Sequence, residues 1–242
     1  MDGERLAKRL ARAGLCSRRE AETWIEAGRV RVNDKKITSP ALNVTPEDKI
    51  SVDGKPIAAA DKTRLWLYHK PAGLMTTHKD PQGRPTVFNA LPKDMPRVVS
   101  IGRLDLNSEG LLLLTNDGEL ARKLELPSTG WIRRYRVRAF GSILPATLEK
   151  MRQGVTVEGV RYQRMEVEME NPTGANRWLV VSLREGKNRE IRNIFEHFNL
   201  KVNRLIRLSY GPFNLGSLGR GEVKEVPGKV IKSFVGNTTK DE

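Results

Sequence analysis

Between Gly102 and Gly118 the chain reads GRLDLNSEGLLLLTNDG, which sets one carboxylate, Asp105, in a polar turn just ahead of a short apolar strand, Leu111–Leu114. An ionised carboxylate in such a place can act as a nucleophile or as a proton acceptor. The whole chain holds 43 Lys and Arg against 29 Asp and Glu, a net charge of +14. That excess favours an anionic partner and helps keep a buried acid ionised. Most isolated aspartates after a leucine are turn or cap residues, and residue types alone leave that alternative open.

The charge narrows the partner. A surplus of basic side chains is the footprint of a polyanion binder, either nucleic acid or an acidic membrane. The longest purely aliphatic run is Leu111–Leu114, far short of a membrane span, and no basic amphipathic helix stands out. Nucleic acid is therefore the expected partner, with no membrane. The one cysteine, Cys16, has no intramolecular disulfide partner, and the charged start MDGERLAKRLARAG lacks the apolar core of a secretory signal. A reducing, cytoplasmic location is expected. His69, His78 and His197 form no ligand spacing with Cys16, so no metal is expected.

The elements that must position Asp105 follow from periodicity. At 242 residues the chain is long enough for one large domain, or a medium one with a small one. Leu6, Leu10 and Ala13 predict a first helix over Glu4–Ala13, closed by Gly14. Ser17 with Glu20 forms a capping box for a second, whose stripe is Ala21, Trp24 and Ile25 and whose end is Gly28. Arg29–Asn33 alternates like a strand, Asp53-Gly54 signals a hairpin turn, and the small polar run Ala58–Thr63 reads as a linker.

Beyond it, strands are predicted at Leu65–Tyr68, Leu111–Thr115, Tyr135–Phe140, Val155–Val157, Met165–Met169, Leu179–Leu183 and Leu205–Leu208. Helices are predicted at Glu119–Leu124, Pro145–Gln153 and Asn188–Phe198, with a frayed tail after Gly228. Such a mix argues an α+β domain on a mostly antiparallel sheet. The division expected is a small domain over residues 1–60 and a larger one over 61–242.

The first segment, LAKRLARAGLCSRREAETWIEAGRVRVND, resembles the S4 RNA-binding domain over about residues 4–56. The resemblance implies RNA contacts from Arg5, Lys8, Arg9, Arg18, Arg19, Arg29 and Arg31, since arginine can pair bidentately with phosphate. Solvation of two surface helices is the bland alternative for any one of them. A helix-turn-helix DNA reader suits the immediate Arg/Val strand poorly.

Four further stretches, HKPAGLMTT (69–77), the 102–121 run, RRYRVRAFG (133–141) and LREGKNREIRNIFEHFNLKVNRLIRLSYGPFNLG (183–216), resemble the RsuA-type family of ribosomal RNA pseudouridine synthases. The ending is most similar to the family's large-subunit members. The resemblance implies a pseudouridine synthase fold and a reaction that detaches uracil from C1′, turns it and rejoins it through C5. No cofactor or metal is implied. The partner implied is ribosomal RNA, most of all that of the large subunit, met by a monomer. A small-subunit target and a non-catalytic RNA-binding assembly factor are the competing functions.

Residue by residue, Asp105 matches the family's catalytic aspartate and Tyr135 the tyrosine that stacks on the target uracil. Arg103 matches the arginine that enters the RNA where the base has left. Arg192 is expected to pair with Asp105 and hold it anionic. In a strand, Arg133, Tyr135 and Val137 share one face while Arg134, Arg136 and Arg138 share the other, so one face can meet a base and the other phosphate or solvent. Lys70-Pro71 and Gly73 read as a shaped loop beside the site, and Gly110 as a point of close backbone approach.

Overall fold

The computed structural model describes residues 3–59, 61–170 and 176–235. The chain divides into two compact units. One comprises Met1–Arg64, Asp94–Val99 and Thr115–Gly118, and the other takes the rest.

The first unit runs β1 (Glu4–Arg5), α1 (Leu6–Arg12), α2 (Arg18–Glu26), β2 (Val30–Val32), β3 (Lys35–Ile37), β4 (Asn43–Val44), β5 (Ile50–Val52) and β6 (Lys55–Pro56). The first helix starts later than its periodicity predicts. Glu4 and Arg5 pair antiparallel with Val44 and Asn43, and Leu6 N–H donates to Leu42 at 3.0 Å, so the helix cannot begin before Leu6. The capping box is present: Ser17 Oγ accepts from Glu20 N–H at 3.2 Å while the Glu20 carboxylate accepts from Ser17 N–H at 2.7 Å. Leu6, Leu10, Ala21, Ile25 and Val30 close a small core against the antiparallel sheet β3-β2-β5-β6. Of the expected linker Ala58–Thr63, Ala60 lies outside the described residues.

After Arg64 the chain runs β7 (Leu65–Lys70), β8 (Val99–Ile101), β9 (Ser108–Thr115), α3 (Gly118–Glu125), β10 (Arg133–Phe140), α4 (Pro145–Gln153), β11 (Thr156–Val157) and β12 (Val160–Arg161). It continues with β13 (Glu166–Met169), β14 (Asn176–Leu183), α5 (Glu190–His197), β15 (Lys201–Tyr210), β16 (Phe213–Asn214), β17 (Val223–Glu225) and α6 (Gly228–Val235). The main sheet has the order β13-β14-β10-β15-β9-β7-β17, with β8 on β9 and β16 on β15.

The pair β9/β15 is parallel, in a sheet where β10/β14, β10/β15, β13/β14, β15/β16 and β7/β17 run antiparallel. All of β9 is buried, which explains its unbroken leucines: a central strand covered on both faces needs no alternation. Gly110 faces Arg207 across the parallel pair at φ 101°, and a Cβ there would run into the Arg207 backbone.

Two expectations are corrected. The chain after Gly228 is helical to Val235, because Ile231 is buried and Phe234 packs on Trp131 and Phe213 with ring centroids 5.6 and 5.5 Å apart. Residues after Val235 lie outside those described. The helix predicted from Asn188 starts at Glu190, since Arg189 adopts a left-handed conformation at φ 49° that no α-helix continues.

Candidate active site

The loop carrying Asp105 is fastened through its backbone. Gly102 turns the chain at φ 70°, and its N–H donates to Glu125 Oε1 at 2.6 Å. Thr76 Oγ1 donates to the Leu104 carbonyl at 2.8 Å, Gly73 N–H to Leu106 at 2.8 Å, and Ser108 N–H to the Asp105 carbonyl at 3.0 Å.

The strongest fastening is Lys70, at the end of β7 and 0% exposed. Its Nζ donates to the carbonyls of Pro71 (3.1 Å), Asp105 (3.1 Å), Leu106 (3.2 Å) and Ser108 (2.8 Å). Burial pushes the Lys70 ammonium down to about 8, while the charges of Asp105 and Glu109 pull it back up. Sequence reading gave this lysine only a loop-shaping part. The signal for more was its phase in β7: it shares a strand face with the buried Trp66 and Tyr68.

Fastened this way, the Asp105 loop is held without the aspartate side chain. Among the described residues its carboxylate makes no hydrogen bond and no ion pair. The expected pairing with Arg192 is therefore corrected. Arg192 donates instead to the carbonyls of Val202 at 3.0 Å and Asn107 at 3.2 Å. The physical reason is the competition of two backbone acceptors for a guanidinium on the first turns of α5. Its charge still acts at range: burial and Arg189 lower the Arg192 pKa, and Asp105 raises it.

Asp105 lines a cavity of about 800 Å³ together with Arg103, Tyr135, Arg133, Glu190 and Arg207. Tyr135 is 9% exposed and stands opposite Val181 on β14 and Arg207 on β15. Arg103 is exposed and, among the described residues, makes no hydrogen bond or ion pair. The structure thus brings Asp105, Arg103 and Tyr135 to one cavity and places Arg192 against the Asp105 loop outside its lining.

Arg133 shares Tyr135's face but is consumed structurally. Its Nη1 donates to Trp131 at 3.0 Å and Arg184 at 2.7 Å, and its Nη2 to the Tyr210 hydroxyl at 3.2 Å. Glu190 was not singled out by sequence reading. It is 4% exposed, its Oε2 accepts from Lys187 N–H at 3.0 Å, and burial next to Glu185 pushes its carboxyl up to about 8.

In the first unit the expected RNA contacts differ in freedom. Arg18 and Arg19 are exposed and, among the described residues, their guanidinium groups have no hydrogen bond or ion pair. Arg29 is held by Asp53 at 3.0 Å from Nε and lies 4.7 Å over the Trp24 ring. Arg31 donates to the Asp34 carbonyl at 2.9 Å, Arg5 to the Ala41 carbonyl and Arg9 to Ala58 at 3.5 Å. Lys8 forms an ion pair with Glu4 at 3.6 Å. Among the described residues no cluster of three or more His, Cys, Asp or Glu is placed to hold a metal, and no helix is long and apolar enough to cross a membrane.

Residues 64–197 match the family described as RNA pseudouridylate synthase, and residues 4–50 match the S4 domain. The chain belongs to the RNA pseudouridylate synthase family. An uncharacterized RNA pseudouridine synthase of Rickettsia bellii is 52% identical over 95% of this chain and 99% of its own. The ribosomal large subunit pseudouridine synthase B of Salmonella typhi is 44% identical over 88% of this chain and 75% of its own. That of Haemophilus influenzae is 43% identical over 93% and 65%. A solved structure titled as a pseudouridylate synthase superposes with a TM-score of 0.67 over 96% of this chain and 99% of that one, at 22% identity, and so shares the fold. The α+β architecture and the S4 segment read from sequence agree with these family matches.

Proposed function

We propose that this synthase converts uridine to pseudouridine in large-subunit ribosomal RNA, with Asp105 as the reacting carboxylate. The observation that carries the assignment of Asp105 is its unbonded side chain, set in the cavity by a loop that Lys70 fastens at three of its carbonyls. A structural aspartate would be spending its oxygens on the fold. Support for the RNA class comes from the relatives named ribosomal large subunit pseudouridine synthase B, 42–44% identical.

The reaction is an isomerisation, so the same atoms stand on both sides. The C1′–N1 bond breaks with its electron pair leaving on the uracil. Asp105 either bonds C1′ as it does so or takes the C2′ proton. The turned base then joins C1′ through C5, as the Asp105–C1′ bond breaks or Asp105 returns the C2′ proton, and the C5 proton leaves for N1. In this reading Tyr135 stacks on the extruded ring, a contact worth roughly 1–3 kcal/mol per base. Arg103 fills the space left in the RNA, and Arg192 positions the loop by holding Asn107. Residues 1–60 bring phosphate contacts, led by Arg18 and Arg19, whose guanidinium groups are unpaired among the described residues, and residues 61–242 do the chemistry. The reading describes a cytoplasmic monomer that needs no cofactor.

The test is pseudouridine mapping of ribosomal RNA from cells lacking the protein, complemented with wild type or Asp105→Asn. A large-subunit uridine should remain unmodified in the deletion and in the D105N strain, and be restored by wild type. In vitro, D105N should lose about 10²–10⁴-fold or more in rate while staying folded at the assay temperature, because among the described residues the carboxylate makes no hydrogen bond or ion pair to lose and only its field at Lys70 and Arg192 is removed. No uridine changing state would end the enzyme reading, and a change confined to small-subunit RNA would end its large-subunit part.

A further inference from the structure

The cavity holds one buried cation that the fold leaves largely unspent. Arg207 sits on β15, opposite Tyr135 in the β10/β15 register, and is 3% exposed. Its Nε donates to the Leu111 carbonyl at 2.7 Å, which fixes the guanidinium against β9. Its Cζ lies 5.1 Å from the Tyr210 ring centroid, which holds it from a second side. Beyond that one hydrogen bond, neither terminal nitrogen has a partner among the described residues, and Nη2 is out of reach of water. Buried guanidinium hydrogens are rarely left unsatisfied, since each costs about 1–3 kcal/mol.

The terminal nitrogens of the other buried arginines near the cavity are spent. Arg133 gives both to the protein, and so does Arg192, of which only the buried Nε is without a partner among the described residues. Arg84, also in the lining, is held by Asp80. Arg103 and Arg189 are exposed, where water screens their charge. Tyr135 and Arg207 are partners across β10/β15 just beyond the register shift between Arg134 and Tyr135, and both line the cavity. A ring stacked on Tyr135 therefore lies within reach of the Arg207 side chain. Uracil presents carbonyl oxygens at its edge, and these are the atoms that take up negative charge when N1 leaves C1′.

We propose that Arg207 is a further catalytic residue, a fixed cation that donates to a carbonyl oxygen of the extruded uracil and stabilises the anion formed as the C1′–N1 bond breaks. Arg207 transfers no proton: the electron pair of the broken bond resides on the ring while Asp105 acts at the sugar, and the guanidinium supplies field and hydrogen bond. Prearranged donors aimed at developing charge act most strongly where water is excluded. The inference rests on the isomerase reading and assigns it a group for the leaving base.

The experiment compares wild type, Arg207→Met and Arg207→Lys under single turnover, on an RNA substrate carrying either uridine or 5-fluorouridine at the target. R207M should lose about 10²–10³-fold in rate with unchanged RNA Kd, and R207K should recover part of the loss. The fluorinated base is the better leaving anion, so disappearance of its nucleoside should suffer less from either substitution. A purely structural arginine would slow both substrates equally, and that outcome overturns the proposal, as does an R207M rate equal to wild type. Should R207M melt below the assay temperature, the same comparison of substrates in R207K decides. A wild-type protein that converts no uridine in any ribosomal RNA would fail the parent reading instead.

Discussion

The Lys70 ammonium donates to the Asp105 carbonyl at 3.1 Å, so the residue that carries the acid is gripped by its backbone while its carboxylate stays unbonded. Four carbonyls converge on that one ammonium, and burial has already lowered its pKa to about 8. The charge thus stands near the limit of what the interior tolerates, and its partners on the loop are what keep it there.

Lys70→Met should separate positioning from folding. The thioether cannot donate, so buried carbonyls lose their partner at about 1–3 kcal/mol each, partly offset because no charge has to be desolvated. The expected outcome is a modest fall in denaturation midpoint with a larger fall in single-turnover rate and little change in RNA Kd. A K70M enzyme as fast as wild type would show that the loop holds Asp105 without the lysine.

Tyr135 offers a cleaner contrast, since among the described residues its hydroxyl makes no hydrogen bond. Tyr135→Phe keeps the ring and should keep most of the rate. Tyr135→Ala removes the stacking surface and should cost roughly 1–3 kcal/mol in the affinity for the extruded base, read as a fall in single-turnover rate at subsaturating RNA. If Y135F fell as far as Y135A, the hydroxyl and not the ring face would carry the role.

Much of this was legible from residue types. The leucines of β9, the alternation of β10 and the Ser17–Glu20 box each have a local physical cause, and the structure places each of them where that cause predicts. Asp105, Arg103 and Tyr135 also meet at one cavity. The Asp105–Arg192 pair was not legible, because the choice of an arginine among carboxylate and carbonyl acceptors is settled by the backbone around it. Glu190 escaped notice, and Lys70 was read only as part of a shaped loop, for a related reason. A charged residue reads as solvated until tertiary packing buries it. The late start of α1 has the same origin, since Glu4 and Arg5 are claimed by β4, some 40 residues on.

Glu190 predicts a pH dependence with a definite sign. Its folded pKa, about 8, lies above the ordinary glutamate value of 4.5, so the folded state holds a proton that the unfolded state releases across that interval. Stability from this group is fully present below about pH 4.5 and is lost as the pH rises to about 8. Glu185, beside it, is shifted down, so its contribution is lost below that window and does not oppose the trend. Glu190→Gln should therefore melt with a flatter pH profile between these limits and gain on wild type toward pH 8. Parallel profiles for the two proteins would mean that Glu190 ionises normally.

The positive charge of the first unit can be apportioned by salt. For single-stranded contacts the logarithm of affinity falls against the logarithm of salt with a slope of about −0.7 per phosphate neutralised. Arg18 and Arg19 are exposed and uncommitted among the described residues, so Arg18→Ala with Arg19→Ala should make the slope shallower by about 1.4 if both meet phosphates. Arg29 is already met by Asp53 and stacked over Trp24. Removing that pair together, as Arg29→Ala with Asp53→Ala, takes away no net charge and should leave the slope as in wild type. The reverse pattern, a slope sensitive to the Arg29–Asp53 pair and indifferent to Arg18 and Arg19, would move the phosphate contacts from the start of α2 to the segment between α2 and β2.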